Sequence, residues 1–441
     1  MGEPNAGSLP GADPRADPAG VPPPTPPSGW RRAAIDISPL RHPDYRRLWA
    51  GNAIAFVGFQ VTAVAVAVQV YNVTGSSFWV GMLGAVGLVP LVVFGLWGGA
   101  VADAIDRRLL LLIGSVLLWS STLGLWAQSL AGLNNLAVLL VLVALQSAGF
   151  AVASSTRGAV IPRLIPTEQV AAANTLGFTT SNVGMLSGPL LAAALIARSS
   201  ISAAYGVDAV LFTAALYAAF RLPALPPTGP STGTPGLRSV IDGLAFIVTR
   251  PVLLMSFGVD IAAMVLAMPR ALFPARAQNM GGDSAVGWLF ASLAIGAVVA
   301  GATSGWIGRV RKQGVALVAA IVVWGLAVAA SGLANKLWLA VALLAVGGAA
   351  DLVSAVYRQT ILQTYAPDEM RGRMQGVFIV VVAGGPRLGD VRAGTTAALA
   401  GTRASWVGGG LVCAVVVLFA LLVPSFRNYD ASRSAQEQVD L

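Results

Sequence analysis

Two carboxylates and a guanidinium stand inside apolar stretches that otherwise exclude charge. Asp260 lies about nine residues into an apolar block at 252–273, and Asp351 lies deep in another at 337–358. Arg358 follows Asp351 by seven residues, which on a helix puts it on the same face, about 10 Å along. An ionisable side chain at membrane depth costs several kcal/mol, so it faces a water-filled cavity or a partner. Two readings stay open for each Asp: a group that loads and releases protons, or a group that caps a bend or pairs with an Arg. The only histidine, His42, sits in a polar lead-in, so a proton relay inside the bilayer would use carboxylates. Arg387 and Asp390, three residues apart, are close enough to pair on one helix. Gln60, Gln69, Asn52 and Gln146 could hydrogen-bond a substrate or a neighbouring helix.

The elements that must hold these groups follow from composition. The chain is 56% hydrophobic and only 11% charged, with mean hydropathy +0.74. A soluble domain carries about a quarter of its residues charged. The apolar residues come in blocks long enough to cross a hydrocarbon core, which takes about 20 residues. Six helices are predicted at 48–70, 79–101, 109–129, 136–157, 173–197 and 205–222, and six more at 252–273, 285–308, 314–334, 337–358, 374–399 and 404–424. The expected fold is therefore an all-α membrane protein of twelve transmembrane helices. Residues 1–29 read as a disordered Pro/Gly-rich tail, 30–222 as a first six-helix bundle and 223–250 as a linker ending in an amphipathic helix. Residues 251–425 read as a second bundle and 426–441 as a polar tail.

The net charge of +9 forms no continuous basic face, which argues against nucleic acid as a partner. Basic residues collect in alternate loops and, by the positive-inside rule, place both termini in the cytoplasm. The exceptions are Arg198, Arg270, Arg276, Lys336, Arg387, Arg392 and Arg403. The single cysteine, Cys413, permits no internal disulfide, and neither a metal set nor a cofactor loop is expected. A preference for Arg over Lys points to a GC-rich bacterial genome, hence to a bacterial inner membrane.

Three motifs add detail. Arg157, Pro166, Glu168 and Gly188 recur as Arg358, Pro367, Glu369 and Gly389, an internal repeat of parallel halves. Arg157 and Arg358 then close the fourth and tenth helices, where anchoring is the simpler role. The loop after the second helix reads Gly99-Ala-Val-Ala-Asp103-Ala-Ile-Asp106-Arg107-Arg108, and its second-half counterpart, Gly305 to Lys312, keeps the basic cluster without the Asp. The fifth helix carries Gly184-Met-Leu-Ser-Gly188-Pro189, small residues four apart that let helices approach, with a proline that permits a bend.

The loop resembles the signature loop of the major facilitator superfamily, with Asp106 where that pattern has Gly. The fifth-helix run resembles the antiporter motif of drug and proton exchangers, with Ala192 and Ala193 at its last two places. Gly384 to Asp390 and Asp208, read as opening the sixth helix, extend the likeness to the enterobactin-exporter branch over about residues 38–425. The resemblance implies two pseudo-symmetric bundles rocking about a central cavity. It also implies that Asp103 contacts the start of the eleventh helix as a conformational switch. Because the first, fourth, seventh and tenth helices line the cavity in this superfamily, it makes Asp260 and Asp351 the candidates for proton coupling.

The expected function is secondary active export of a medium-sized amphipathic compound, a siderophore or a drug such as a macrolide, by proton antiport. The partners are the substrate, protons and the lipid bilayer, and the expected state is a monomer. An importer or uniporter of the same fold is the nearest alternative, ahead of a non-transporting scaffold or a membrane enzyme. In a Cys413→Ser background, single cysteines in the 223–250 linker should stay closed to an impermeant thiol reagent in whole cells. Ready labelling there would reverse the orientation.

Overall fold

In the computed structural model the described residues are Gly2, 36–102, 105–226, 237–365 and 368–430. Side chains of 96–102, 237–240, 308, 363, 365, 368–376 and 378–380 are also outside the description. Contacts divide the chain into Met1–Asp36 and Ile37–Leu441, and all the helices described belong to the second unit.

Every regular element among the described residues is helical: α1 (Pro43–Thr74), α2 (Ser77–Ala102), α3 (Arg107–Leu130), α4 (Leu136–Leu164), α5 (Val170–Arg198), α6 (Ile201–Phe220), α7 (Leu237–Thr249), α8 (Pro251–Ala267), α9 (Phe273–Ala277), α10 (Asp283–Ala302), α11 (Gln313–Leu333), α12 (Leu337–Tyr365), α13 (Asp368–Ala400), α14 (Thr402–Leu418) and α15 (Pro424–Arg427). Hydrocarbon offers the backbone no water, so each crossing bonds its own peptide groups. Eleven segments of the described residues are long and apolar enough to cross, with α8 and α9 counted in one. The twelfth crossing is α13, which is long but carries Arg387, Asp390 and Arg392. Helix α7 exposes Ile241, Leu244 and Val248 and buries Ile247.

Local chemistry sets the ends. Asp106 caps α3, its carboxylate accepting from Arg108 N at 2.7 Å. Asn135 caps α4 through Ala137 N at 2.9 Å, and Ser200 caps α6 through Ala203 N at 3.1 Å. Gly75 ends α1 in the left-handed region at φ 62°, its N–H on Tyr71 O.

Several boundaries correct the sequence reading. α4 and α12 run seven residues past Arg157 and Arg358, to Leu164 and Tyr365, so both arginines lie inside their helices and do not close them. An arginine at the end of an apolar block looks like a closing charge, whereas the backbone stays helical past it, through residues 158–164 and 359–365. Ser200 starts α6 early, so Asp208 lies seven residues into that helix and is fully buried.

The seventh span is broken, not continuous. Pro269 lacks an N–H and forces Met268 extended, at φ −73° and ψ 116°, so α8 ends at Ala267. A 3-10 turn, Arg270–Leu272, leads into α9. The freed carbonyls find a donor on α13. Arg392 Nε bonds Val265 O at 3.0 Å, its Nη2 bonds Leu266 O, and its Nη1 bonds Ser405 O at 3.2 Å.

Within one bundle α1 packs on α5 and α6, and α4 packs on α2 and α3; within the other α12 packs on α10 and α11, and α14 on α8, α11 and α13. The bundles meet along α2 with α13 and along α5 with α10. Six crossings apart, these two pairs are each other's pseudo-symmetry mates.

Arg392→Leu should destabilise the protein, since each buried carbonyl left without a donor costs roughly 1–3 kcal/mol. Thermal unfolding in detergent, followed by tryptophan fluorescence, should show a lowered midpoint with Arg392→Lys in between. Equal midpoints for all three would remove Arg392 from this role.

Candidate functional site

Because the number of crossings is even, α1 starts and α14 ends on one face, termed the terminal face. The α2–α13 seam shows how the bundles diverge along their length. Near the opposite face, a Cβ at Gly394 would meet Ser77 O and one at Gly81 would meet the backbone of Asp390. Further in, Gly84 faces the Arg387 backbone and Gly87 only its side chain; Gly384 reaches no closer than a Leu88 methyl, at 3.4 Å. Towards the terminal face Gly95 has open space. Gly287 of α10 abuts Pro189 O and Ala193 of α5, and Asn72 donates to Asp283 across the bundles at 2.8 Å. These contacts converge on the opposite face, and the α2–α13 seam opens towards the terminal face.

A cavity of about 230 Å³ sits in this wedge, walled by α1, α2, α4, α10, α13 and the turn after α8. Its polar lining is Gln60, Gln146, Ser147, Arg270, Arg387 and Asp390. Phe59 on one wall stacks on Phe150 at 5.1 Å, and Phe290 on the other meets Phe273 edge-on at 5.0 Å. A larger groove of about 500 Å³ between α10, α11 and α12 is lined by apolar residues apart from Thr303 and Tyr357. It holds no charge that could act on a polar substrate.

The cavity charges are wired differently from the sequence reading. Asp390 does not pair with Arg387 on its own helix. Its partner is Arg270, whose Nη2 donates to Oδ2 at 2.9 Å. Arg387 turns the other way and donates to Ser147 Oγ on α4 at 3.3 Å. The break after α8 explains this, because it brings Arg270 off the helical path and into reach of Asp390. Sequence reasoning counted Arg270 only as an exception to the charge bias. Pro269 beside it was the available signal of a broken helix. Arg392 is another such exception explained by a structural bond, and so is Arg276, which donates to Ala334 O at 2.5 Å.

Asp260, Asp351 and Arg358 come together, away from the cavity lining. The 10 Å expected between Asp351 and Arg358 is closed by the arginine's length, since helical side chains lean towards the N-terminus. Arg358 Nη2 lies 3.8 Å from Asp351, and Nη1 pairs with Asp260 on α8. Asp260 and Arg358 are buried, while the Asp351 side chain is half-exposed. Arg157, the repeat mate of Arg358, has no ion-pair partner among the described residues.

The fifth-helix motif is a packing device with one cross-bundle contact. Gly184 seats against Phe56 and Gly188 against Gln60 and Val57 O of α1, while Pro189 O faces Gly287. Gly385 and Gly389 seat α13 on Met264 of α8 in the same way. In the signature loop, Gly99 lies in the last turn of α2, whereas Asp103 and its expected contact with the eleventh crossing fall outside the described residues and side chains. The arginines bond helix ends: Arg107 to Ala159 O at 3.3 Å and Arg108 to Phe220 O at 2.7 Å. Asp106, the departure from the pattern, both caps α3 and accepts from Leu225 N at 3.1 Å, fixing the start of the linker.

Comparison with known proteins bears on the fold and the family. Enterobactin exporter EntS of Shigella boydii is 28% identical over 391 residues, covering 87% of this chain and 92% of that protein. The Escherichia coli protein of the same name is 27% identical over 398 residues, covering 88% and 94%. Among solved structures, a bacterial homolog of the human lysosomal transporter Spinster, inward-facing and unoccupied, superposes with a TM-score of 0.68 at 16% identity, covering 91% of this chain and 99% of that one. Nucleoside transporter NupG gives 0.65 at 13% identity, covering 86% and 99%. These two show the fold, that of the major facilitators. Residues 34–440 match the family described as transmembrane secretion effectors, and the chain belongs to that family of membrane exporters and is not an enzyme.

Proposed function

We propose that the protein is a proton-driven exporter of a siderophore-like or macrolide-like compound, held in the cavity between its bundles. One observation carries this reading. The seam between the bundles closes at the opposite face and opens to the terminal face, and at its apex Arg387, Gln60 and Gln146 lie between Phe59 and Phe290. A cationic group, amides and aromatic faces suit an amphipathic molecule with acidic or hydroxylated rings. The likeness to enterobactin exporters over most of the chain supports the siderophore class.

The terminal face carries Arg107, Arg108, Arg163, Arg309, Arg311 and Lys312, which supports its being cytoplasmic in a bacterial inner membrane. The seam then opens inward, ready to load cytoplasmic substrate. The bundles, about 30–222 and 251–425, rock about their seam as a monomer, with Gly99, Asp103, Arg107 and Arg108 as the switch loop. Asp260 and Asp351 share Arg358, so a proton on half-exposed Asp351 would redistribute that guanidinium towards Asp260. One charge crossing 100 mV supplies ~2.3 kcal/mol, roughly a 50-fold substrate gradient.

Purified protein in liposomes should move enterobactin uphill when a pH gradient is imposed and stop when it is collapsed; a macrolide run in parallel ranks the substrate classes. Arg387→Gln should raise the half-saturation concentration about tenfold or more, the cost of a charge-assisted bond of ~1.5–3 kcal/mol. Downhill movement indifferent to the pH gradient would make the protein a uniporter. Failure to move either compound would remove both substrate classes.

A further inference from the structure

We propose that Asp208 is a second proton-binding carboxyl, built into the first bundle and linked to the cavity wall by a chain of hydrogen bonds. Four carboxylates lie inside the bundles among the described residues, and three of them sit by a cation. Asp260 and Asp351 share Arg358, and Asp390 has Arg270. Asp208 has no cation within ion-pair distance among the described residues, although it is 0% exposed.

Its neighbours are hydroxyls and a glycine. Thr62 of α1 bonds Oδ2 at 2.6 Å and Thr122 of α3 bonds the same oxygen at 3.3 Å. Oδ1 rests against Gly58 of α1, where a Cβ would leave it no room, and makes no hydrogen bond. The nearest titratable group recorded along α6 is Tyr205, one turn away, and its hydroxyl is committed to Gln69 at 2.8 Å. From α1, α3 and α5, the helices packed on α6, no hydrogen bond or ion pair brings a charged side chain to the carboxyl.

A lone carboxylate so placed is costly to keep charged, and two hydroxyls can serve either protonation state. In the charged form both threonines donate to Oδ2. When hydronium gives up a proton it forms an Oδ–H bond and leaves water, the charge is lost, and one threonine hydroxyl trades its donated hydrogen bond for one accepted from the carboxyl. No other covalent bond changes.

The link to the cavity is Gln146 of α4. Its Nε2 donates to Thr122 Oγ1 at 3.2 Å, and the same side chain lines the cavity. A substrate that draws Gln146 away removes a bond from Thr122 and so alters how Asp208 holds its proton. By linkage, protonation of Asp208 alters the affinity for substrate by the same factor. The centre in the second bundle works through a shared guanidinium; this one works through neutral donors.

The inference rests on the proton-driven reading above, but its test needs no substrate, so the two can fail separately. Difference infrared spectroscopy of the purified wild-type protein, titrated with acid and base, should show the carbonyl-stretch band of a protonated carboxylic acid. One component of that band should be missing in Asp208→Asn and present in Asp351→Asn and Asp390→Asn. Thr122→Val keeps the carboxyl and breaks the link, so it should shift the midpoint of the band's titration by about one pH unit. It also decides the matter if Asp208→Asn does not fold. A band unchanged in both Asp208→Asn and Thr122→Val, or absent from the wild type across the titration, would overturn the proposal.

Discussion

Every charge and every free carbonyl inside a bilayer needs a partner, and the rest of this structure follows from how the break after α8 meets that demand. Pro269 ends α8 before its span is complete and strands its last carbonyls. Arg392 reaches from α13 to bond them, and Asp390, two residues earlier on α13, accepts Arg270 from the turn itself. The break and the polar helix are therefore one unit; neither would be tolerated in lipid without the other. The same unit puts an arginine and a carboxylate on the cavity wall without leaving either unpaired. Glycines at 81, 84 and 87 on α2 let α13 come close enough to close the seam there.

The two bundles use one packing plan and different chemistry. Gly184 and Gly188 seat α5 on α1, and Gly385 and Gly389 seat α13 on α8. Arg157 and Arg358 each stand seven residues before a helix end. Yet among the described residues only Arg358 of this pair has carboxylate partners, Asp260 and Asp351. The first bundle keeps Asp208 among hydroxyls, beside an amide cluster of Gln69 and Gln128 whose mutual bonds are 3.0 and 3.3 Å. Duplicated scaffolds with unequal polar interiors fit a machine in which one event must be felt differently by its two halves.

Much of the architecture was legible in the sequence. The apolar blocks marked the crossings, and the signature loop and the small residues of the fifth helix marked the family. Helix ends were not, because Arg157 and Arg358 look like closing charges, and Pro162 and Arg163 in α4 and the Gln and Thr residues of α12 interrupt the apolar runs beyond them. The seventh span looked continuous because apolar residues resume straight after Pro269 and Arg270; the stereochemistry of proline breaks it. The partner of Asp390 was hidden for the same reason, since Arg270 reaches it only after the break. Spacing favoured Arg387, three residues away on one helix, but that side chain turns to Ser147 on α4 instead. Asp260, Asp351 and Arg358 stood out in the sequence as charges within apolar blocks, and the structure brings the three together. Their meeting depends on the side-by-side packing of α8 and α12, which no linear pattern contains.

The central claim is that the bundles pivot about a seam closed at one face, and inter-bundle distances test it most directly. In a Cys413→Ser background, spin labels would be placed at Thr167 and Arg311 on the terminal face. A second pair would go at Leu133 and Lys336 on the opposite face. Pulsed electron paramagnetic resonance would follow both pairs across pH and with enterobactin added. The account predicts that the terminal pair shortens as the opposite pair lengthens. Distances that stay fixed, or that move in the same sense at both faces, would contradict it.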